Sequence, residues 1–345
     1  MKTYIIAEIG QNHNGSMELA KKLIDIAAMP IFDFFSGQIL PGVDAVKFTK
    51  RDLSEELSDE AASKPYNSPH AFGKTYLEHR QALELSIEQH VELEQYAHSK
   101  GLDFVQTLCS PGCLSLLDKV KVDAIKIASR DVTNIPLLEA IGRLESRVIV
   151  SSGMCTLDEL RNAVSVLSIV PKDIWILHCI SQYPEQYGNI NLRSIAFLQR
   201  EFTNHRIGYS DHSVGIVVPA AAVAMGASII EKHITLNRSM KGSDHAGATE
   251  PDGLWRVVRD IRNVEKSIGE DGKYLCKDVL PMRDKLARSL ALQVGLKKGD
   301  VLEEAHLCMR SPGNGLSWDD RHKVVGRRAK LDIPSNSLVV PDEFE

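Results

Sequence analysis

Residues 147–181 read RVIVSSGMCTLDELRNAVSVLSIVPKDIWILHCIS, and this stretch decides the fold. A short β-branched run, Arg147–Gly153, turns through small residues into helical spacing over Leu157–Leu167. Thr156, with Glu159 three residues on, is a capping-box pattern that starts the helix. A second apolar run, Asp173–Ser181, follows. Strand, helix, strand at this spacing is the unit of a parallel sheet, because a parallel partner is reached only by a crossover.

Working outward, the same unit recurs along most of the chain. Strand candidates are Tyr4–Gly10, Val43–Thr49, Asp103–Cys109, Asp123–Ser129, Arg147–Gly153, Asp173–Ser181, Arg206–His212 and Ser228–Thr235. Met17–Met29 and Ile87–Lys100 have helical spacing, and Asp252–Gly269 supplies a final helix. About eight β-then-α units with no run of consecutive strands predict an α/β chain closed as a TIM (β/α)8 barrel. That barrel is assigned residues 1–270. The stretches 30–42 and 50–85 exceed ordinary connections, and lid, interface and decoration all remain open for them. The polar run Glu270–Lys273 introduces a linker, 271–287, and close-spaced strand and turn signals over 288–345 predict a small β-rich domain.

Composition excludes several classes. Of 345 residues 43% are hydrophobic and 25% charged, as in ordinary soluble domains. A net charge of −5 argues against a nucleic-acid binder, so an anionic substrate needs cations gathered locally. The N-terminus lacks signal-peptide architecture, and the longest apolar run, 216–226, is too short and Ala-rich to span a bilayer. The six cysteines have neither framework nor zinc-ribbon spacing, which predicts reduced thiols in a cytoplasmic protein.

Polar residues interrupt the strands where a barrel core should be aliphatic. Residues two apart share a face. Ile6, Glu8 and Gly10 therefore line up, as do Ala45, Lys47 and Thr49, and Glu231, His233 and Thr235. Lys126 sits between Ile125 and Ile127, and Ser210 shares a face with His212. A single buried charge is usually a satisfied ion pair, but repetition near the C-terminal strand ends marks the place where barrels carry chemistry. Lys47 and Lys126 offer positive charge to a phosphate or carboxylate, and Thr107, Ser129, Ser152 and Ser210 offer hydroxyl donors. His212 and His233, on successive strands, are placed to converge on one metal with open positions, although core histidines would look the same. Glu8 is the candidate for proton transfer or for holding a sugar hydroxyl.

In that light the motifs take on a family resemblance. Ala7-Glu8-Ile9-Gly10-Gln11-Asn12-His13-Asn14-Gly15 resembles the opening motif of the sialic acid synthase family. Asp44–Phe48, Ile125–Ser129, Ser151–Met154, His178–Pro184, Gly208–Ser213, Ile230–His233, Gly242–His245 and Ser311–Gly315 continue the match in order over nearly the whole chain.

The resemblance implies a TIM barrel followed by an antifreeze-like (SAF) domain, in a domain-swapped homodimer whose small domain covers the partner's active site. It implies a metal-dependent synthase that condenses phosphoenolpyruvate with an aldose such as N-acetylmannosamine. The product would be a sialic-acid-type 2-keto-3-deoxy sugar acid, released with phosphate by C–O cleavage. By the same resemblance His212 and His233 hold Mn²⁺, with Mg²⁺ or Co²⁺ as alternatives. Lys126, Thr107, Ser129, Ser152 and Ser210 contact phosphoenolpyruvate, and Glu8, Lys47, Tyr183 and Asp244 face the sugar. Ser181 stands where many members have Asn and is carried as a substrate-binding candidate. Thr49 departs from the usual Lys-x-Gln, and Gly242-Ser243-Asp244-His245 from Gly-Pro-Asp-His. Members often have Arg directly before Pro-Gly; here Ser311 takes that place, and Arg310, ahead of Arg288, is the candidate reaching the sugar. Two other readings compete. One is a keto-acid aldolase using Lys126 as a Schiff base, the other a non-catalytic glycan-binding protein.

Overall fold

The computed structural model describes residues 2–34 and 36–345. It divides into two compact units, 1–269 and 270–345.

In the first unit, strands β1 (Tyr4–Gly10), β4 (Ala45–Lys50), β5 (Asp103–Leu108), β6 (Ala124–Ile127), β7 (Val148–Ser151), β8 (Ile174–Cys179), β9 (Arg206–Asp211) and β10 (Ile229–His233) form a closed barrel. Every neighbouring pair is parallel, and β10 closes on β1 with Glu8 opposite His233. The helix Leu157–Leu167 starts where its sequence says: Thr156 caps Glu159 N–H, and Glu159 returns a carboxylate oxygen to Thr156 N–H. Its buried residues Leu160, Ala163, Val164 and Leu167 follow the three-and-four spacing of one face.

The open stretches acquire structure of their own. Residues 30–42 carry an antiparallel hairpin, β2 (Ile31–Asp33) with β3 (Gln38–Leu40). The 50–85 stretch contains helices Leu53–Glu56, Asp59–Ser63 and Tyr76–Leu83, the last opened by a Thr75–Glu78 capping box.

Alternation along the strands creates two cores. Outward residues such as Ile5, Ala7, Val46, Phe104, Ile125, Val148 and Ile176 pack under the helices. Inward residues Ile6, Ala45, Val105, Ala124, Ile149, Trp175, Leu177 and Ile229 fill the barrel itself. Burying side chains of this size contributes roughly 1.5–3 kcal/mol each, so the lower interior is held by apolar packing. Two residues further along, the same inward positions turn polar: Glu8, Lys47, Thr107, Lys126, Ser151, Cys179 and Glu231. The apolar plug thus ends beneath a charged ring.

The second unit has its own core of Leu290, Leu292, Leu296, Leu302, Leu307, Val324, Ala329, Ile333, Val339 and Phe344. Its regular sheet is one antiparallel pair, β11 (Ser289–Leu292) with β12 (Leu307–Arg310), extended by isolated bridges such as Leu296 to Ile333 and Ala329 to Phe344. Within the stretch expected as linker, Leu280–Leu286 is helical.

Candidate active site

Four strands meet in a buried ionic ring. Lys47 Nζ lies 2.8 Å from Glu8 Oε2 and 3.7 Å from Glu231 Oε2, and Lys126 Nζ lies 3.9 Å from Glu231 Oε1. All four side chains are at most 6% exposed, so the charges persist only because they compensate one another. Burial pushes the Glu8 carboxyl up to about 7, because Lys47 beside it opposes but does not overcome desolvation. Burial would raise Glu231 too, but Lys126 and Lys47 outweigh it and hold that carboxyl at about 2. Burial lowers Lys126 below the ordinary lysine range. One carboxyl near neutrality beside one fixed anion is a division of labour suited to proton transfer.

Hydroxyls surround this ring. Lys126 Nζ donates to Ser151 Oγ at 2.6 Å, and Lys47 Nζ donates to Thr107 Oγ1 at 3.2 Å. Ser210 Oγ donates to Glu231 Oε1 at 2.9 Å. Ser129 also faces the cavity and accepts from Ser181 Oγ at 2.9 Å, so Ser181 stands behind it rather than on the wall. Ser152 is a correction. Ser151 is the inward residue, two beyond Ile149, whereas Ser152 has turned to the other side and donates to Leu177 O at 3.0 Å.

The two imidazoles converge. The His212 and His233 rings lie 5.5 Å apart, and the Tyr183 ring lies 4.0 Å from the first and 5.7 Å from the second. His212 Nδ1 donates to Ile180 O at 2.8 Å, which leaves its Nε2 with a lone pair. Burial holds His233 down at about 3, hence neutral, and its buried Nδ1 has no hydrogen-bond partner. His233, neutral with an orphaned Nδ1, and His212, whose Nδ1 is tied to Ile180 O so that Nε2 is the nitrogen left for a ligand role, are a pair that fits a divalent ion. Among the described residues no group of three or more His, Cys, Asp or Glu is arranged to hold a metal. An ion here would therefore complete its shell with water or substrate. Gly10 keeps this corner open: at φ +54° an added Cβ would come 2.7 Å from Glu8 Oε1 and 3.7 Å from the His233 ring.

These side chains line one cavity of about 360 Å³. Asp244 and Gln11 are on its wall, joined by a 3.3 Å hydrogen bond from Gln11 Nε2 to Asp244 Oδ2. Ser151, Cys179, Glu231, Arg51, Arg80 and Arg130 also line it, and sequence reasoning proposes none of them as a site residue. Strand parity points to Ser151 and Glu231, but the arginines lie outside the strands and carry no periodic signal. Arg310 ends β12 in the second unit with its side chain exposed, and Arg288 Nη1 donates to Ser311 Oγ at 2.5 Å.

Comparison with known proteins adds the lineage. A model of the NeuB family matches residues 38–273, and a model of the SAF domain matches residues 287–345. The chain belongs to the NeuB family. It is 33% identical over 340 residues to human N-acetylneuraminate-9-phosphate synthase, covering 98% of this chain and 92% of that one. It is 34% identical over 353 residues to N,N'-diacetyllegionaminic acid synthase of Legionella pneumophila, covering 100% and 95%. Among solved structures it resembles the N-acetylneuraminic acid synthetase of Leptospira borgpetersenii at 31% identity and TM-score 0.67, over 82% of this chain and 90% of that one. The matched relatives are synthases by name, which meets the expectation of an enzyme of that type; a TIM barrel followed by a SAF domain is likewise as expected.

Proposed function

We propose that the barrel cavity condenses phosphoenolpyruvate with an aldose, giving a sialic-acid-type 2-keto-3-deoxy sugar acid and phosphate. The observation that carries this reading is the ring of Lys47, Lys126, Ser151, Thr107 and Ser210 beside the converging imidazoles of His212 and His233, in a member of a family of sugar-acid synthases. Lys126 and the surrounding hydroxyls suit the phosphate and carboxylate of phosphoenolpyruvate. Carbon 3 bonds to the aldehyde carbon, water adds at carbon 2, and the tetrahedral product loses phosphate by breaking the carbon–oxygen bond. Glu8, at about 7, serves as the proton donor to the new alkoxide and recovers its proton from the added water. Asp244, Gln11 and Tyr183 orient the sugar. A divalent ion, Mn²⁺ first and Mg²⁺ or Co²⁺ as alternatives, would be held by His212 and His233 and would supply polarisation of the aldehyde.

The working form in this proposal is a domain-swapped homodimer whose SAF domain covers the partner's barrel and excludes water. Six free cysteines are in keeping with a cytoplasmic setting. Among the described residues no helix is long and apolar enough to cross a membrane.

The names of the relatives differ on whether the product carries a phosphate, so the aldose is not settled by them. The reaction itself is tested by measuring phosphate released from phosphoenolpyruvate against a panel of aldoses. Chelator should abolish release and Mn²⁺ restore it while the fold persists. Full activity in the stripped protein, or unchanged activity in His212→Ala, sinks the metal assignment. A second reading has one observation in its favour: Lys126 is lowered, as a Schiff-base lysine needs to be. Borohydride trapping with pyruvate decides against condensation if it yields an adduct at Lys126.

A further inference from the structure

Behind the cavity wall, on the outward face of β9 and β10, lies a second buried polar cluster. Outward positions on these strands are otherwise apolar and pack under the helices, as Ile207, Ile230 and Ile234 do. Asp211 and Lys232 break that pattern as a cross-strand pair in register. Lys232 Nζ lies 2.6 Å from Asp211 Oδ2, with the two side chains 2% and 0% exposed, and it donates to Ser213 O at 3.0 Å. Asp211 Oδ1 accepts from Ser213 N–H at 3.0 Å. The buried Tyr209 hydroxyl bridges two carboxylates, Asp211 Oδ1 at 3.2 Å and Glu185 Oε1. Glu185 is buried as well, and its N–H donates to His212 O at 3.2 Å.

Stability alone does not account for such a cluster, because desolvation offsets most of the attraction in a buried ion pair and an apolar pair would serve as well. Its place in the chain does. Asp211 and Lys232 each stand directly before an imidazole, His212 and His233, and Glu185 stands two residues after Tyr183. Among the described residues the β9–β10 ladder ends at Lys232 opposite Asp211, so their ion pair is the last cross-link before the two histidines. Beyond it the rings lie 5.5 Å apart, with the Tyr183 ring 4.0 Å from His212. Ligand distances at a metal are held to a few tenths of an ångström. Two strand ends free to splay would not keep them.

We propose that Asp211, Lys232, Tyr209 and Glu185 are positioning residues, one clamp behind the cavity that sets the separation of His212 and His233 and docks the Tyr183 turn against them. This rests on the metal and condensation readings above. The ion pair fixes the two imidazoles relative to each other. The Tyr209 hydroxyl extends the clamp to Glu185, and so fixes the aromatic ring that faces the sugar. None of the four touches substrate.

The test compares wild type, Tyr209→Phe and the double variant Asp211→Asn/Lys232→Met, which exchanges the ion pair for a neutral pair of similar shape. Metal-stripped protein is titrated with Mn²⁺ alone, and the free ion is read by electron paramagnetic resonance. The double variant should bind Mn²⁺ about tenfold more weakly or worse, as happens when groups behind a metal ligand are removed. Its midpoint in urea should change little. Tyr209→Phe keeps the ion pair and cuts only the link to Glu185. It should hold Mn²⁺ as wild type does and raise KM for the aldose about fivefold, with KM for phosphoenolpyruvate within about twofold. Glu185→Gln, which keeps an acceptor for the Tyr209 hydroxyl, should stay near wild type. Wild-type Mn²⁺ affinity in the double variant, or equal shifts of both KM values in Tyr209→Phe, would show that the cluster only packs under the helices, and would overturn the inference. If the double variant does not fold, the KM split in Tyr209→Phe decides. Wild type that binds no Mn²⁺ sinks the metal assignment and the inference together. Wild type that binds Mn²⁺ but releases no phosphate with any aldose sinks the condensation reading, and the titration still decides whether the clamp spaces the histidines.

Discussion

Ser151 and Ser152 are adjacent hydroxyls that the fold sends to opposite sides, so substituting each in turn tests the site at the level of single atoms. Ser151 is 2% exposed, lines the cavity and accepts from the Lys126 ammonium at 2.6 Å. A hydrogen bond to a charged partner is worth about 1.5–3 kcal/mol, more than a neutral one, because the buried ammonium has little water to fall back on. If that bond orients Lys126 toward phosphoenolpyruvate, Ser151→Ala should lower kcat/KM by about 10- to 150-fold. Ser152 donates to Leu177 O at 3.0 Å, a neutral contact outside that cavity. Ser152→Ala should cost ~1 kcal/mol of stability in urea titration and change kcat/KM by no more than about threefold. Steady-state kinetics with phosphoenolpyruvate varied, beside denaturation of both variants, reads out the contrast. The reverse pattern, a crippled Ser152→Ala and a normal Ser151→Ala, would refute the assignment of the inward face at β7.

Glu8 provides a pH test. Its carboxyl is raised to about 7 in the folded chain from an ordinary 4.5, so the folded state holds its proton over that window. The stability of wild type relative to Glu8→Gln should therefore fall as pH rises from about 4.5 through about 7, by on the order of 3 kcal/mol, then level off. A difference that grows with pH would mean the carboxylate is stabilised, not desolvated. For the second unit, Arg310→Ala should lower kcat/KM about tenfold, ~1.4 kcal/mol, if the SAF domain reaches a substrate, and unchanged kinetics would remove it from the site.

Much of the barrel is legible in the sequence because two periodicities coincide with burial: period two in the strands and the three-and-four face of Leu157–Leu167. The same parity shows Glu8, Lys47 and Glu231 on inward faces, but not that Glu231 answers two lysines on other strands, which follows from closure of β10 onto β1. The motif Ser151-Ser152-Gly153 suggests Ser152, whereas counting two from Ile149 selects Ser151. Arg51, Arg80 and Arg130 are not legible at all. They sit in connections and on short elements after the strands, where direction is set by tertiary contacts such as Arg51 with Glu56 and Arg80 with Gln11. The hairpin in 30–42 escapes notice because three-residue strands are too short for a periodic signal.

The reading of this cavity as a phosphoenolpyruvate-condensing site meets its most direct test in isotope labelling. Phosphoenolpyruvate labelled with heavy oxygen in the carbon–phosphorus bridge is incubated with the protein, Mn²⁺ and an accepted aldose, and both products are weighed by mass spectrometry. The expected result is keto acid and phosphate in equal amounts, with the bridge label wholly in the phosphate. Label retained in the keto acid would mean that the phosphorus–oxygen bond breaks, and would contradict condensation through a tetrahedral product that loses phosphate from carbon 2.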